Sequence, residues 1–340
     1  MGIKIKHRCL YLQQPGAVLG ITAGEWVVRQ GEEILQKLPC NYIDRICIFG
    51  GVQITSSAIA FCWESKTALH VLSQFGQYQG SFTGAENTLW KMRKKQFLLQ
   101  EDTVKRQAFA DTIISNKIRN SIAFLKQIKR NHPGEEHLTP YLIRLRNLRR
   151  QINSGLSVNE IIGVEGMAAR YYFTAWGHCL HHEHFSFTRR KKHPASDPIN
   201  GMLSLGYSLL LTRVEAALRI HGMDSSIGIV HASRNHPALA CDLMEEFRTA
   251  IVESMVLKAV NSKRFVKSDF YYTDNPVTCF LTDEARKRFL ILFEKKMETK
   301  RIHPDSRHPV TWEDIIELQA VLFKKYVTGV VPQYEPYKII

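Results

Sequence analysis

The spacing of apolar and polar residues changes once along the chain, near residue 84. Before this point short apolar runs alternate with turn residues, and each run predicts a β-strand: CLYLQ, AVLGI, EWVVRQ, RICIFG, ALHVLS and QYQGSF. Turns are predicted between strands at QQPG, TAGE and FGG. The run TSSAIAFCWES fits either a strand or a short helix. Residues 1–85 are therefore predicted to form a small β-sheet domain.

From Leu89 onward apolar residues recur every three or four positions, as in FADTIISNKIRNSIAFLKQI, and this spacing predicts α-helices. Two helix starts are clearly marked. Ser157 is followed three residues later by Glu160, which is the pattern of a capping box. Asp197 precedes a proline at the first position of a helix that ends at Gly222.

More helices are predicted in the rest of the chain. The segment NHPGEEHLTP breaks one helix and starts another around Pro140, and a further helix is predicted from near Pro237 to about Val260. TDEARKRFLILFEKKM and TWEDIIELQAVLFKKYV predict two more, followed by an extended tail, VPQYEPYKII. The predicted fold class is thus α+β in two domains, a small N-terminal β-domain (1–85) and a larger all-α domain (86–340).

Composition is that of a globular protein, because 44% of the 340 residues are apolar and 23% are charged. No run approaches about 18 consecutive apolar residues. The N-terminal residues MGIKIKHRCLYLQQ lack the apolar core of a secretory signal, so we expect a cytoplasmic protein. The seven cysteines are scattered and never spaced C-x-x-C, which argues against a disulfide framework or a zinc ribbon.

Positive charge is concentrated in one part of the chain. Lysine and arginine together number 46 against 32 aspartates and glutamates, an excess of 14. Residues 1–85 carry 7 basic and 5 acidic side chains, whereas residues 91–150 carry 15 and 5. Basic clusters recur at RLRNLRR (144–150) and RRKK (189–192). A solvated helical surface explains one such run, but their repetition favours binding to a nucleic acid.

The helix after Pro237 carries the first candidate chemistry. Asp242 and Glu245 lie on a flank of its apolar face, three residues apart, so their side chains are neighbours that can share one divalent cation. Glu246 is also a helical neighbour of Asp242, and spacing alone does not choose between Glu245 and Glu246. In the alternative interpretation these acids are solvated surface charges, with Glu245 paired to Arg248.

Two other residues could complete such a site. His231 precedes this helix in a loop bracketed by Gly228 and Pro237, where a lone histidine is usually a surface residue. Glu165 lies in VNEIIGVEGMAARYYF, a helix whose small residues allow close approach of a backbone or a substrate. Its apolar neighbours make this an unusual place for a solvated carboxylate. The three acids and the histidine together form a candidate metal constellation.

A second histidine cluster offers a competing metal site. His178 and His182 are four residues apart, a spacing able to bind zinc on one helical face. The segment has no H-E-x-x-H pattern and no nearby cysteine pair, and it continues into the basic residues RRKKHP. We therefore interpret HCLHHEHF as an exposed segment near DNA.

Three blocks in fixed order carry a resemblance to a known family: GVEGMAARYYF (163–173), DPINGMLSLGYSLLL (197–211) and IGIVHASRNHPALACDLMEEFR (227–248). Their order, spacing and content resemble CRISPR-associated protein one, the spacer-acquisition integrase. The succession of a β-domain and a larger helical domain is similar too, so the resemblance covers essentially the whole chain.

The resemblance implies roles for individual positions. The metal-binding glutamate and histidine of the family match Glu165 and His231, and its two acids on the next helix match Asp242 and Glu245, which selects Glu245 over Glu246. Many members have aspartate where Glu245 stands. All four residues are expected to be catalytic, with Glu165, His231 and Glu245 as metal ligands. Arg234, Arg248, Tyr207 and Asn200 match positions near the family's active site and are expected to contact DNA there. Arg189 and Arg190, from the basic RRKK cluster, are expected to contact its phosphates.

The expected cofactor is Mg²⁺ or Mn²⁺, because the donor set is rich in oxygen and contains one imidazole. The implied activity is a metal-dependent DNA integrase and endonuclease that acts on phosphodiester bonds. The resemblance also implies a homodimer formed through the β-domain, assembly on a dimer of CRISPR-associated protein two, and a short DNA duplex and a CRISPR repeat as substrates. The alternatives are a stand-alone structure-selective nuclease and a non-catalytic DNA-binding scaffold.

Overall fold

The computed structural model describes residues 8–82, 84, 90–132, 134–152, 155–191, 194–231, 237–274, 277–302 and 308–339. The chain divides into two compact units, residues 1–87 and 88–340. The sequence predicted the boundary at residues 84–88. The first unit is built mainly of strands and the second mainly of helices, so the predicted α+β class is confirmed.

In the first unit the described elements follow in this order: β1 (Cys9–Leu12), β2 (Val18–Thr22), β3 (Glu25–Gln30), β4 (Glu33–Pro39), β5 (Arg45–Phe49), β6 (Gln53–Ile54), α1 (Ser56–Ser65), β7 (Ala68–Leu72) and β8 (Tyr78–Phe82). The ambiguous segment is thus the helix α1, whose first turn is capped by the Thr55 side chain. The seven-residue strand β4 and the two-residue strand β6 were not predicted from the sequence. β4 is exposed along most of its length and shows no apolar alternation.

The strands of this unit form two four-stranded sheets. One has the order β1-β5-β7-β8, in which β1, β5 and β7 are parallel and β8 is antiparallel to β7. The other has the order β4-β3-β2-β6. Alternate side chains from both sheets and α1 form one core, which includes Leu19, Trp26, Ile46, Ile48 and Leu69.

In the second unit the described elements are α2 (Trp90–Glu101), α3 (Thr103–Asn131), α4 (Thr139–Ile152), α5 (Val158–His178), α6 (Pro198–Ile220), α7 (Ala238–Met244), α8 (Ser254–Asn261), β9 (Phe270–Asp274), β10 (Val277–Leu281), α9 (Asp283–Met297), β11 (Arg301–Ile302), β12 (Pro309–Val310) and α10 (Trp312–Val327). The predicted caps of α5 and α6 are present: Ser157 and Glu160 form a capping box, and Asp197 accepts a hydrogen bond from the Asn200 N–H. Of the described helices, none is long and apolar enough to cross a membrane.

Two details of the helical unit correct the sequence interpretation. The unit is not all-helical, because the hairpins β9–β10 and β11–β12 lie within it. The helix predicted from Pro237 to Val260 is not continuous either: α7 ends at Met244, and a π-helical turn, Thr249–Glu253, precedes α8. No glycine or proline marks this break, since residues 238–261 contain neither.

The helix α6 runs through the middle of the second unit and is buried on nearly all sides. Its Gly206 permits close contact with the π-helical turn, because a Cβ atom there would lie 2.6 Å from Val252 Cγ1. This contact brings the π-helical turn directly beside α6. The candidate site lies in the second unit, where α3, α5, α7 and the π-helical turn meet.

Candidate active site

Glu165 lies in the middle of α5, on a part of the helix that is open on one side. A Cβ atom added at Gly163 or Gly166 would have no neighbour within 4 Å. The small residues therefore leave free space beside Glu165 for a bound molecule rather than for another backbone. The Glu165 side chain is 21% exposed and pairs with Lys117 of α3.

The loop before α7 is held by a buried carboxylate. Asp242 is fully buried and accepts hydrogen bonds from the backbone N–H groups of Ile229 (2.7 Å) and Val230 (2.9 Å). It also accepts from the backbone N–H of His231 (3.3 Å), and its Oδ1 lies 2.6 Å from His231 Nδ1. Gly228 is required at the start of the loop, because a Cβ there would lie 2.6 Å from Ala238 Cβ. Asp242 therefore fixes the loop and the imidazole.

This arrangement gives His231 a defined tautomer. An ionised carboxylate only accepts hydrogen bonds, so Nδ1 donates to Asp242 and Nε2 is the nitrogen available to a ligand or a proton. The hydrogen bond to Asp242 raises the pKa of His231 against the effect of burial, and the charges of Asp242, Glu245 and Glu165 raise it further.

The turn after α7 separates the two glutamates that spacing alone did not distinguish. Glu245 forms ion pairs with Lys117 (Oε2 to Nζ, 2.6 Å) and with Arg248 (Oε1 to Nη2, 3.0 Å). Glu246 is buried elsewhere, in a network with Gln319 and Tyr334. Glu245 is thus the glutamate that shares a partner with Glu165.

Lys117 is the residue that sequence reasoning missed. Its ammonium group lies between the carboxylates of Glu165 and Glu245, so a single positive charge bridges α5 and the end of α7. One sequence signal could have identified it: Lys117 follows Ile113 by four residues and Ile114 by three, on the apolar face of α3. A lysine on that face needs a buried acidic partner.

The charges in this cluster reinforce one another. Burial raises the pKa of Glu245, but the positive charges of Arg248 and Lys117 outweigh it and lower that pKa to about 2. Burial lowers the pKa of Lys117, but the charges of Glu165 and Glu245 outweigh it and raise that pKa. Both groups are therefore ionised at neutral pH.

Another buried carboxylate lines the pocket that contains Glu165. Glu253, in the π-helical turn, accepts hydrogen bonds from the hydroxyl groups of Tyr172 (2.6 Å) and Tyr207 (2.7 Å). The guanidinium groups of Arg190 and Arg248 lie over the Tyr207 ring, 5.3 and 4.8 Å from its centroid. Tyr207 therefore lies within the site as a buried support for two arginines.

The predicted DNA-contacting residues differ in their exposure. Asn200 is fully buried, and its side chain binds Asp197, Arg190 and the backbone of residues 189 and 191. Asn200 therefore fixes the conformation of residues 189–191, and its side chain is not accessible to DNA. Arg189 is exposed, and Arg248 is partly buried beside Glu245. Arg234 lies outside the described residues.

The competing histidine cluster does not have the geometry of a helical zinc site. α5 ends at His178, so His182 is not on the same helix. The His178 ring packs edge-on against His137, whereas the His182 ring packs against His184 and Phe185. In the part of the chain that the structure describes, no group of three or more histidine, cysteine, aspartate or glutamate side chains is arranged to hold a metal ion as it stands.

Glu165, His231 and Glu245 are likewise not arranged to hold a metal ion as they stand. The cause is the position of Lys117. The ammonium group takes the position between the two carboxylates that a cation would share. Glu245 Oε2 is buried and, apart from the ion pair with Lys117, accepts no well-directed hydrogen bond from the described residues. Two carboxylates and one imidazole are a donor set suited to Mg²⁺ or Mn²⁺. The chemistry of the donors fits such an ion, provided that Lys117 moves.

The fold and this pocket define a class of protein: a basic, two-unit α+β chain whose helical unit gathers carboxylates and an imidazole from three separate segments. Comparison with known proteins makes the assignment specific. The family model for CRISPR associated protein Cas1 matches residues 10–295. This chain belongs to the Cas1 family.

Relatives and solved structures agree with that assignment. A Thermus thermophilus protein named CRISPR-associated endonuclease Cas1 3 is 32% identical over 330 residues, covering 97% of this chain and 94% of its own. A chain of a Cas6-RT-Cas1–Cas2 complex superposes with a TM-score of 0.86 at 24% identity over 100% of this chain, which spans 37% of that longer chain. A casposase bound to an integration product superposes with a TM-score of 0.83 at 23% identity, covering 98% of this chain and 94% of its own. The two structures establish the shared fold.

Proposed function

We propose that this chain is a metal-dependent DNA integrase of CRISPR adaptation. It joins the 3′-hydroxyl ends of a short DNA duplex to phosphodiesters of a CRISPR repeat. The observation that carries the proposal is that Glu165 and Glu245 share the ammonium group of Lys117 and that their charges act on His231, in a member of the Cas1 family. The endonuclease name of the Thermus relative and the casposase with its integration product support a reaction at phosphodiester bonds.

The reaction exchanges one phosphodiester for another. The attacking 3′-oxygen forms a bond to phosphorus, the bond from phosphorus to the 3′-oxygen of the target strand breaks, and the proton of the attacking hydroxyl ends on that leaving oxygen. With water as the attacking group the same site cuts DNA. Reversal of joining separates a branched product.

Glu165, Glu245 and His231 Nε2 would hold the Mg²⁺ or Mn²⁺ ion. When bound, the ion supplies Lewis-acid polarisation of the phosphate and stabilises the charge that develops on the leaving oxygen. Asp242 fixes the His231 ring, so Nε2 can bind an ion or carry a proton. Arg248, supported by Glu245 and the Tyr207 ring, supplies a fixed positive charge for a phosphate.

The partners that we propose are DNA, a second copy of this chain and a Cas2 dimer. The solved complex that contains Cas1 and Cas2 supports the Cas2 partner. The net charge of +14 supports DNA. The edge strand β4 of the first unit exposes Ile34 (44%) and Leu35 (37%), and an apolar edge of this kind suits pairing with a second copy.

The first test is the resealing of a branched DNA that mimics a half-integrated duplex, with Mn²⁺ or with EDTA. We expect resealing with Mn²⁺ and none with EDTA. His231→Ala and Glu165→Ala should each lower the rate at least about 100-fold. The matched controls His308→Ala and Glu298→Ala change exposed residues outside the pocket and should keep the wild-type rate.

The rival functions give different results. A non-catalytic scaffold binds the branched DNA and never reseals or cuts it, in any metal. A stand-alone nuclease cuts the DNA but inserts no duplex into a target plasmid, whether or not Cas2 is added. Insertion that depends on Cas2 and is lost in His231→Ala supports the integrase.

A further inference from the structure

Glu253 carries a buried carboxylate that has no cationic partner. The residue lies in the π-helical turn and is 3% exposed. Within the described ranges it forms no salt bridge. The nearby cations are paired with other acids, Lys117 with Glu165 and Glu245, and Arg248 with Glu245. Burial of a carboxylate without a counter-charge is costly, so the surroundings of Glu253 favour the approach of a cation.

The hydrogen bonds of Glu253 leave room for such a partner. Its Oε2 accepts from the Tyr172 hydroxyl at 2.6 Å, and its Oε1 accepts from the Tyr207 hydroxyl at 2.7 Å. Acceptance at both oxygens is the pattern of an ionised carboxylate, which has about four acceptor positions. Burial and the negative charge of Glu253 raise the pKa of both tyrosines, so both stay protonated and neutral.

Glu253 and Lys117 line the same small cavity. Its volume is about 20 Å³, which is enough for one water molecule or one ammonium group. Glu165 and Glu253 are the acids among the described lining residues. The polar part of the lining comprises Lys117, Ser121, Glu165, Tyr172, Thr249 and Glu253. Because lysine has a flexible four-carbon stem, its ammonium group can turn from Glu165 towards Glu253 without leaving the cavity.

A divalent ion at Glu165 and Glu245 would displace the Lys117 ammonium group. That group now lies between the two carboxylates, 2.6 Å from Glu245 Oε2. The ion would repel it at this distance. The Lys117 side chain is only 17% exposed, so it has little contact with water. Of the acids that line the cavity, Glu253 is the one that the ion leaves free.

We propose that the Lys117 ammonium group has two positions, one between Glu165 and Glu245 in the free protein and one against Glu253 when a divalent ion occupies those two glutamates. The inference rests on the proposed function only in taking a divalent ion at that pair. Glu253 is then a positioning residue of the metal site. It neutralises the displaced ammonium group and thereby favours binding of the ion.

The first test is a double-mutant cycle on Mn²⁺ affinity, measured without DNA from the electron paramagnetic resonance of free Mn²⁺. Glu253→Gln keeps the shape of the side chain and removes its charge. With Lys117 present it should weaken Mn²⁺ binding at least about 10-fold. In a Lys117→Met background no ammonium group is displaced, and Glu253→Gln should change the affinity by less than about threefold.

The control for this cycle is Glu298→Gln, which removes an exposed acid outside the pocket and should change the affinity by less than about twofold. Circular dichroism should show that the four proteins of the cycle are folded. An equal loss of affinity in both backgrounds would overturn the proposal, because Glu253 would then act on the ion and not on Lys117.

The second test follows the ammonium group itself and includes the unmodified protein. Acetylation by N-hydroxysuccinimide acetate, measured by mass spectrometry of peptides, reports whether Lys117 reaches water. In the wild type Lys117 should be protected both in EDTA and at saturating Mg²⁺, whereas the exposed Lys105 of the same helix should react in both. In Glu253→Gln at saturating Mg²⁺, Lys117 should react. Reaction of Lys117 in the Mg²⁺-loaded wild type, or its protection in Mg²⁺-loaded Glu253→Gln, contradicts the second position.

Resealing of branched DNA separates this inference from the proposed function. If the wild type never reseals or cuts DNA but the cycle and the acetylation turn out as expected, the integrase fails and the two positions of Lys117 stand. If the wild type reseals DNA with Mn²⁺ but Glu253→Gln binds Mn²⁺ as tightly as the wild type, the inference fails alone. A wild type that binds no Mn²⁺ overturns both.

Discussion

At the scale of single residues, Lys117 balances two buried negative charges in the candidate active site. The ion pairs with Glu165 and Glu245 join α3 to α5 and to the end of α7. A buried charge without its partner is costly, so this lysine stabilises the free protein. A divalent ion at the same carboxylates competes with it.

Lys117→Met should therefore distinguish the stabilisation of the metal-free protein from the competition with a divalent ion. Without metal we expect the variant to be less stable by about 3 kcal/mol, because Glu245 keeps only Arg248. With Mn²⁺ we expect a larger rise in melting temperature than in the wild type, since no ammonium group competes. Lys105→Met, at an exposed ion pair in the same helix, is the control. If Mn²⁺ raised the melting temperature of Lys117→Met and of the wild type by the same amount, Lys117 would not compete with the ion.

The pairing of Asp242 with His231 gives a pH-dependent prediction. Asp242→Asn should cost about 2–4 kcal/mol, because a buried carboxylate loses its charge-assisted hydrogen bonds to the loop. The pKa of His231 is raised above its ordinary 6.5 in the folded state. Its contribution to stability is therefore fully present below pH 6.5 and is lost as the pH rises through the raised pKa.

The measurement for Asp242→Asn is urea unfolding at pH 6 and pH 8, together with an NMR titration of the His231 ring. The difference in unfolding free energy between wild type and variant should shrink from pH 6 to pH 8. The pKa of His231 should fall in the variant. A His231 pKa that does not move would refute the assigned role of Asp242.

At the scale of elements, the extended tail is tied to the turn that carries Glu245. The Glu246 carboxylate accepts hydrogen bonds from the Tyr334 hydroxyl, the Tyr337 N–H and the Gln319 amide. Asn120 of α3 donates to the carbonyl oxygens of Glu246 and Tyr337. The tail thus holds the turn after α7 against α3.

Glu246→Ala should loosen this part of the protein. The change leaves the Tyr334 hydroxyl and the Tyr337 N–H buried without their acceptor, at a cost of about 3–5 kcal/mol. Hydrogen exchange should become faster in residues 334–339 and 245–248, and urea unfolding should report the loss. Glu298→Ala, at an exposed position after α9, is the control. Unchanged exchange in both segments would show that the tail does not hold the turn.

At the scale of the whole molecule, the first unit is expected to join two copies. Ile34→Glu with Leu35→Glu places two charges on the exposed strand β4 and should convert the proposed dimer to a monomer in sedimentation velocity. Ile220→Glu, at an exposed position at the end of α6, should sediment as the wild type does, as the proposed dimer. A double variant that still sediments as a dimer would place the interface elsewhere.

The sequence by itself determined the two-unit organisation, six of the eight described strands of the first unit, and the starts of α5 and α6. These features depend on local rules: alternation of apolar residues, periodicity and capping side chains. It also pointed to Glu165, His231, Asp242 and Glu245 through three ordered blocks. Local rules did not reveal the break after α7 or the strand β4, since neither leaves a distinct pattern of residues.

Only the tertiary structure decided what these side chains do. Asp242 and Glu245 are three residues apart, yet one holds the His231 loop and the other pairs with Lys117, because the chain turns between them. Lys117 and Glu165 are separated by 48 residues, so no local pattern relates them. Long-range packing of α3, α5 and the end of α7 creates the site, and a one-dimensional sequence pattern does not contain those distances.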